Sequence, residues 1–302
     1  MINRIVDFSE APARLRVRCA QLIVERQDLP EVSMPLADLA VIVVAHPQVT
    51  FSQAVLSGLA AAGGVFVACD GFRLPVGMML PLAGHHAQTE RFMAQARAPL
   101  PVRKRLWRQI VRSKIKAQAA LLVELRGQDF GLQALGRQVR SGDPANVEAR
   151  AARRYWPALF ADLSFRRQRD NEDQNVLLNY GYAVLRAIVA RAISAAGLHP
   201  SLGIHHHNRY DSFCLADDLM EPFRPTVDHA VVEYMNDHDE PYGLESAAKQ
   251  QIISELTGRY LMGGELRTLF DVATRMAASL ADIFLGEAEK LELPDFDHFP
   301  KF

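Results

Sequence analysis

The sequence predicts an α+β protein: a small N-terminal β domain over residues 1–85, followed by a larger all-α domain over residues 86–302. Three observations lead there. The first 85 residues are built of short alternating or β-branched segments punctuated by Gly, Pro and Asp. Beyond Pro81 the apolar spacing changes to a period of 3.6 and stays there. The 302 residues are 49% hydrophobic and 23% charged, enough for one large or two modest cores, which argues against a disordered or fibrous chain.

The elements follow in order. Arg14 to Glu25 alternates polar and apolar residues around Leu15, Val17, Leu22 and Val24, as a half-buried strand pair does. Leu39 to Ala45 is a compact β-branched strand closed by His46-Pro47. Thr50 to Ala62 reads as a short helix with Thr50 or Ser52 as N-cap and Gly63 as its stop. Val65 to Cys69 and Leu74 to Leu80 are strands joined at Asp70-Gly71. None of these strands looks chemically equipped. Gln88–Ala96, Val102–Leu125, Pro144–Trp156 and Asp173–Ala196 read as helices, the third opened by Asp143 as N-cap with Pro144 at the first helical position. Gly197 caps the fourth. Leu291 to Phe302, with two prolines and three phenylalanines, reads as an extended tail that docks on the body.

Arg4, Asp7 and Glu10 break up the start, so nothing there resembles a secretory signal. The apolar run Ala54–Cys69 is short for a membrane span and is broken at Gly63-Gly64. Cys19, Cys69 and Cys214 are scattered and lack Cys-x-x-Cys spacing, which speaks for a reducing cytoplasm and against a thiolate zinc site.

The formal net charge of −1 conceals a strong segregation. Residues 91–170 hold 18 Lys or Arg against 6 acids, a net of +12, while residues 217–302 hold 18 acids against 7 bases, a net of −11. Seven basic residues lie between Arg103 and Lys116 with no acid. Lys104, Arg108 and Arg112 share one helical face, flanked by Arg103, Arg105 and Lys116. Arg150, Arg153 and Arg154 form a second cluster, and Arg166, Arg167 and Arg169 a third. Any one such run is an ordinary solvated face. Three in one window, with Trp107 and Trp156 among them, point to a surface for a phosphate backbone. Charge of this kind fits DNA, RNA or an acidic protein alike.

Three features could carry chemistry. Glu148 is a lone acid on the arginine-rich helix, and on its own it reads as one half of an ion pair. His205-His206-His207 follows Gly203-Ile204; on its own it is a polar loop segment. Asp217, Asp218 and Glu221 stand at i, i+1 and i+4, so their carboxylates could converge on one face, with Arg224 nearby as a structural counter-ion. Two or three carboxylate oxygens with one imidazole suit Mg²⁺ or Mn²⁺, the imidazole favouring Mn²⁺.

Four segments carry a resemblance. Leu177-Leu178-Asn179-Tyr180-Gly181-Tyr182-Ala183, Gly197-Leu198-His199-Pro200, Leu202-Gly203-Ile204-His205-His206 and Asp218-Leu219-Met220-Glu221-Pro222-Phe223-Arg224-Pro225 together resemble the CRISPR-associated Cas1 integrase/endonuclease family. Ala40–Gln48, Leu74–His86 and Arg103–Lys116 look like its type II version. The resemblance implies a β-sandwich followed by a helical catalytic domain, a homodimer, and assembly with Cas2. It also implies capture of double-stranded DNA (a prespacer) and its integration at a CRISPR repeat, in systems that also carry the type II effector. It carries a metal-binding glutamate onto Glu148, a histidine onto His206 through the Gly-x-x-His spacing, and an acid onto Glu221, with Asp218 as auxiliary ligand or orienting group. The tripled histidine leaves this choice open by one residue, and the family's usual third acid is Asp rather than Glu.

The expected activity is metal-dependent transesterification or hydrolysis of DNA at Glu148, His206, Glu221 and Asp218. Asn179, Tyr180, His205 and Asp217 are expected to support the site from behind. The rival from another class is a non-catalytic nucleic-acid-binding assembly subunit whose acids merely neutralise arginines; no membrane role is expected.

Overall fold

The computed structural model describes residues 2–71, 75–168, 171, 173–238 and 242–300. Eight strands in the N-terminal region form two four-stranded sheets. One has β1 (Arg4–Phe8), β5 (Leu39–Val44), β7 (Val65–Cys69) and β8 (Pro75–Met79) in that order; the other has β4 (Val32–Pro35), β3 (Gln21–Glu25), β2 (Arg14–Arg18) and β6 (Thr50–Phe51). The alternating Arg14–Glu25 segment is the antiparallel β2–β3 hairpin. The expected helix begins only after β6, as α1 (Gln53–Ala61), because Thr50 and Phe51 pair with β2. Ser52 is its N-cap residue, without a side-chain cap bond. Leu74, expected to open a strand, lies outside the described residues, and β8 begins at Pro75.

The near-continuous apolar run of β5 has a structural cause. The strand pairs in parallel with β1 and β7 and is buried on both faces. Leu39 and Ile42 pack inside the sandwich with Leu15, Leu22 and Leu59. Ala40, Val41 and Val43, with Val65 and Val67 of β7, face the other way into the helical core. The sheet is therefore one wall of the core that the helices build.

Those helices are α2 (Gln88–Ala96), α3 (Leu100–Arg126), α4 (Leu132–Gln138), α5 (Val147–Phe160), α6 (Asn175–Ala195), α7 (Cys214–Met220), a 3₁₀ turn (Glu221–Phe223), α8 (Arg224–Asp237), α9 (Ser246–Leu256) and α10 (Leu269–Leu285). By length and composition α6 could cross a membrane, yet it is largely buried inside the protein, contacting α7, α8, α9, α10 and the β5–β7 wall. Two expectations need correction. The C-terminal part is not all helical, because β9 (Arg259–Met262) and β10 (Glu265–Thr268) form an antiparallel hairpin across Gly263-Gly264. The α5 helix starts at Val147 rather than Pro144, with Asn146 at φ +48° as its N-cap residue. Asp143 still caps it from upstream, its carboxylate accepting the backbone N–H groups of Val147 and Glu148 at 2.9 Å each. The tail docks as expected: Leu291, Phe296 and Phe299 are buried and Asp295 bridges to Leu261, while Phe302 lies outside the described residues.

Candidate metal centre

Four segments distant in sequence meet at one place: α3, the first turn of α5, the loop at 203–206, and the 3₁₀ turn after α7. Asp143 holds the first turn of α5 in place, and Glu148 projects from that turn. Its Oε1 accepts a hydrogen bond from Lys114 Nζ at 2.6 Å. The same ammonium lies 2.6 Å from Glu221 Oε2. The two carboxylates therefore face each other across a single cation. Glu221 Oε1 accepts from Arg224 Nε at 2.9 Å, and the Arg224 guanidinium lies over the Tyr182 ring at 4.5 Å. Glu221 thus has a cation on each oxygen, Arg224 at Oε1 and Lys114 at Oε2.

Burial works against the charge of Glu221, but Arg224 and then Lys114 outweigh it and hold the carboxyl down at about 2. Burial likewise opposes the charge on Lys114, and Glu221 and Glu148 reverse that, raising its pKa. Glu221 and Lys114 are therefore both charged in the neutral range.

The acids at 217, 218 and 221 do not converge as the helical spacing suggested; each turns to a different partner. Asp217 accepts from Arg186 Nε and Nη2 at 2.7 and 2.8 Å, and burial raises its pKa despite that pair. Asp218, fully buried, turns to the histidine loop. Its carboxylate accepts the backbone N–H groups of Ile204, His205 and His206 at 2.6, 2.9 and 3.3 Å and contacts His206 Nδ1 at 2.6 Å. Gly203 is required by the same close fold, because a Cβ there would lie 2.4 Å from the His206 carbonyl and 3.1 Å from Asp218 Oδ2. Asp218 is an orienting group.

This geometry distinguishes the three histidines. His205 stacks flat on Trp107, ring centroids 4.1 Å apart and planes 2° from parallel, and burial lowers its pKa. His206 stands edge-on to the same indole at 5.6 Å, and its hydrogen bond to Asp218 raises its pKa. Asp218 engages Nδ1 and leaves Nε2 without a hydrogen bond among the described residues. His207 is exposed and contacts the His206 carbonyl through Nδ1.

Two expected supporting residues sit elsewhere. The Tyr180 hydroxyl donates to Asp7 Oδ2 at 2.7 Å, tying α6 to β1 of the sandwich. Asn179 accepts from Arg167 Nη2 at 2.7 Å.

The basic clusters divide as well. Lys104, Arg105, Arg153 and Arg154 are exposed; Arg103, Arg108 and Arg150 are half-buried. Arg112 donates to the carbonyls of Arg137 and Val139 at the end of α4, and Arg166 to those of Leu163 and Phe165. Arg167 is held by Asn175 and Asn179, and Lys116 pairs with Asp297 at 2.8 Å. Arg169 lies outside the described residues. Neither tryptophan lies on the basic surface: Trp107 is buried and Trp156 packs beside Phe160 and Phe165.

Sequence reasoning missed Lys114. The available signal was its phase: Lys114 follows Trp107 by seven residues and Ile110 by four, on the apolar stripe of α3 rather than its basic face.

Among the described residues, no group of three or more His, Cys, Asp and Glu stands close enough to hold a metal as arranged. The donor chemistry nevertheless fits one. Two carboxylates share one cation at 2.6 Å each, and an oriented imidazole keeps a nitrogen uncommitted.

A β-sandwich forming one wall of a helical core, with facing glutamates and a Gly-x-x-His loop in the helical part, defines the class through its fold. A casposase structure, described as bound to integration product, superposes with a TM-score of 0.80 at 20% identity, covering 99% of this chain and 96% of that one. A Cas1 protein from Thermotoga maritima superposes at 0.72 and 16% identity, over 99% and 100% of the two chains. The sequence narrows this further. The family model for CRISPR associated protein Cas1 matches residues 8–242. The CRISPR-associated endonuclease Cas1 of Neisseria meningitidis serogroup C is 35% identical over 286 residues, 93% of each chain. One from Francisella tularensis subsp. novicida is 27% identical over 93% of this chain and 95% of that one. The chain belongs to the CRISPR-associated Cas1 family.

Proposed function

We propose that this chain is a divalent-metal-dependent DNA endonuclease and integrase of CRISPR adaptation, joining captured foreign DNA into the repeat array. The observation that carries the reading is the pair of glutamates, Glu148 and Glu221, facing each other across one cation beside the oriented His206. Relatives named as endonucleases and the casposase fold support it.

Glu148 and Glu221 supply carboxylate oxygens and His206 its Nε2 as ligands for Mg²⁺ or Mn²⁺. Bound there, the ion would polarise the scissile phosphodiester and stabilise charge on the transferred phosphoryl group. Asp218 fixes the ring of His206, and Arg224 keeps Glu221 ionised. A 3′-hydroxyl of the captured DNA attacks a phosphodiester at the repeat boundary, giving up its proton as the new P–O bond forms. The bond to the 3′-oxygen on the opposite side breaks and that oxygen leaves as a hydroxyl; water in place of the attacking hydroxyl gives hydrolysis. Lys104, Arg105, Arg153 and Arg154 are exposed members of the basic surface that holds the duplex by its backbone, and Arg112, Lys116 and Arg166 are exposed but already engaged within the chain.

A complex containing Cas1 and Cas2 among the structural neighbours, with a TM-score of 0.73, supports Cas2 as partner. Homodimerisation, a type II setting with its effector, and a cytoplasmic location with the three cysteines reduced complete the reading. The test is a strand-transfer assay with Mn²⁺. Glu148→Ala and His206→Ala should each lose joining by about 10²-fold or more while DNA binding persists.

A second reading draws on Lys114, which already neutralises both glutamates: a non-catalytic DNA-binding assembly subunit. Joining intact in either variant would overturn the first reading and favour this one.

A further inference from the structure

We propose that Lys114 is a built-in occupant of the metal position: its ammonium holds Glu148 and Glu221 together while no metal is bound and has to leave when one binds. This rests on the metal reading above and deepens it.

The geometry is that of a shared cation, with Nζ 2.6 Å from an oxygen of each glutamate. The lysine side chain is only 12% exposed, so the contact is buried and weakly screened. Without some cation there, the half-buried Glu148 and the buried Glu221 would repel, and Glu148 would lose its ion-pair partner, at a cost to the fold. An ammonium answers that need incompletely. It is a single point charge whose three donors are shared between both groups, whereas a divalent ion can take oxygens from both groups as ligands.

Charge balance requires an exchange. Glu148 and Glu221 are neutralised by Lys114 and Arg224, and a divalent ion added beside both cations would leave an excess of two positive charges in a buried cluster. One cation has to move away. Arg224 is the anchored one, with Glu221 Oε1 at 2.9 Å and the Tyr182 ring beneath its guanidinium. Lys114 has no partner besides the two glutamates among the described residues, and its stem has four rotatable carbons.

The test uses the full chain and Mn²⁺ as probe, read by calorimetric titration and thermal melting rather than by activity. Lys114→Met should bind Mn²⁺ about tenfold or more tighter than the wild type, by removal of a competing charge. Its metal-free Tm should fall, and Mn²⁺ should raise that Tm more than in the wild type. A variant that folds only when Mn²⁺ is added supports the same conclusion. Equal or weaker Mn²⁺ affinity in the variant overturns the proposal while leaving the metal reading standing; failure of both proteins to bind Mn²⁺ overturns both.

A measurement on the wild type covers a variant that does not fold. Acetylation of Lys114, followed by mass spectrometry, should rise several-fold when Mn²⁺ is added, while Lys249, 4% exposed and held by Glu10, stays unchanged. Equal protection of Lys114 with and without Mn²⁺ overturns the proposal.

Discussion

Glu221 and Asp228 lie two helical turns apart on the same stretch of chain, and both are buried, yet their carboxyls are driven in opposite directions. Glu221 is held down at about 2 because two cations, Arg224 and Lys114, outweigh the cost of burial. Asp228 is pushed up to about 6 by burial, which the Tyr155 and Tyr182 hydroxyls and the more distant Arg224 only partly offset. Tyr155 donates to it at 2.6 Å and Tyr182 to its other oxygen. Hydrogen bonds from neutral phenols satisfy a carboxylate; direct charge partners are what keep one ionised. The first arrangement keeps a ligand ready for a cation, and the second joins α5, α6 and α8 into one core.

The contrast breaks most visibly at Arg224. Arg224→Met is expected to destabilise the protein by about 3–5 kcal/mol in urea titrations, since it strands Glu221 with one partner. Carboxyl ¹³C NMR should then find the Glu221 pKa moved up towards that of Asp228; an unmoved value would mean that Lys114 alone keeps the group ionised.

Asp228→Asn sharpens the comparison through pH. The carboxyl titrates higher in the folded protein, about 6, than at its ordinary value of 3.8, so the folded state binds the extra proton between them. Its contribution to stability is therefore full below about pH 4 and is lost as pH rises through about 6, by about 3 kcal/mol in all. The stability of the wild type minus that of Asp228→Asn should fall across this window, and a flat difference would contradict the assignment. Glu221 has the opposite sign: its contribution is present above about 4.5 and is lost as pH falls towards 2.

The smallest effect belongs to a third carboxylate with a phenol partner. Tyr180→Phe removes the hydrogen bond to Asp7 between α6 and β1 and should cost about 1–2 kcal/mol of stability, with strand transfer per folded molecule unchanged. A loss of strand transfer at wild-type stability would return Tyr180 to the site.

Much of this was legible in the residues themselves. Alternation located β2 and β3, a compact β-branched run located β5, and helical periodicity located α3 and, with Gly197 as its stop, α6, because each pattern is local. Glu148, which by itself reads as one half of an ion pair, is picked out through the family resemblance, as are His206 and Glu221 through their motifs. The α5 start was misread because Asp143-Pro144 has the composition of a cap while the chain turns once more, through Asn146 at positive φ, before the helix begins. The β9–β10 hairpin escaped because two four-residue strands around Gly263-Gly264 carry little periodicity of their own.

The sequence by itself determined the succession of sandwich and helices and the identity of the acids and histidine that carry the proposed chemistry. Tertiary structure alone decided their partners: Lys114 between Glu148 and Glu221, Asp218 on the histidine loop, Asp217 on Arg186, Tyr180 on Asp7, and Trp107 beneath His205 rather than on the basic surface. The physical reason is range. Helices and strands are written in spacings of two to four residues, whereas a buried ion pair is chosen by which distant side chains packing brings within a few ångströms and then strips of water.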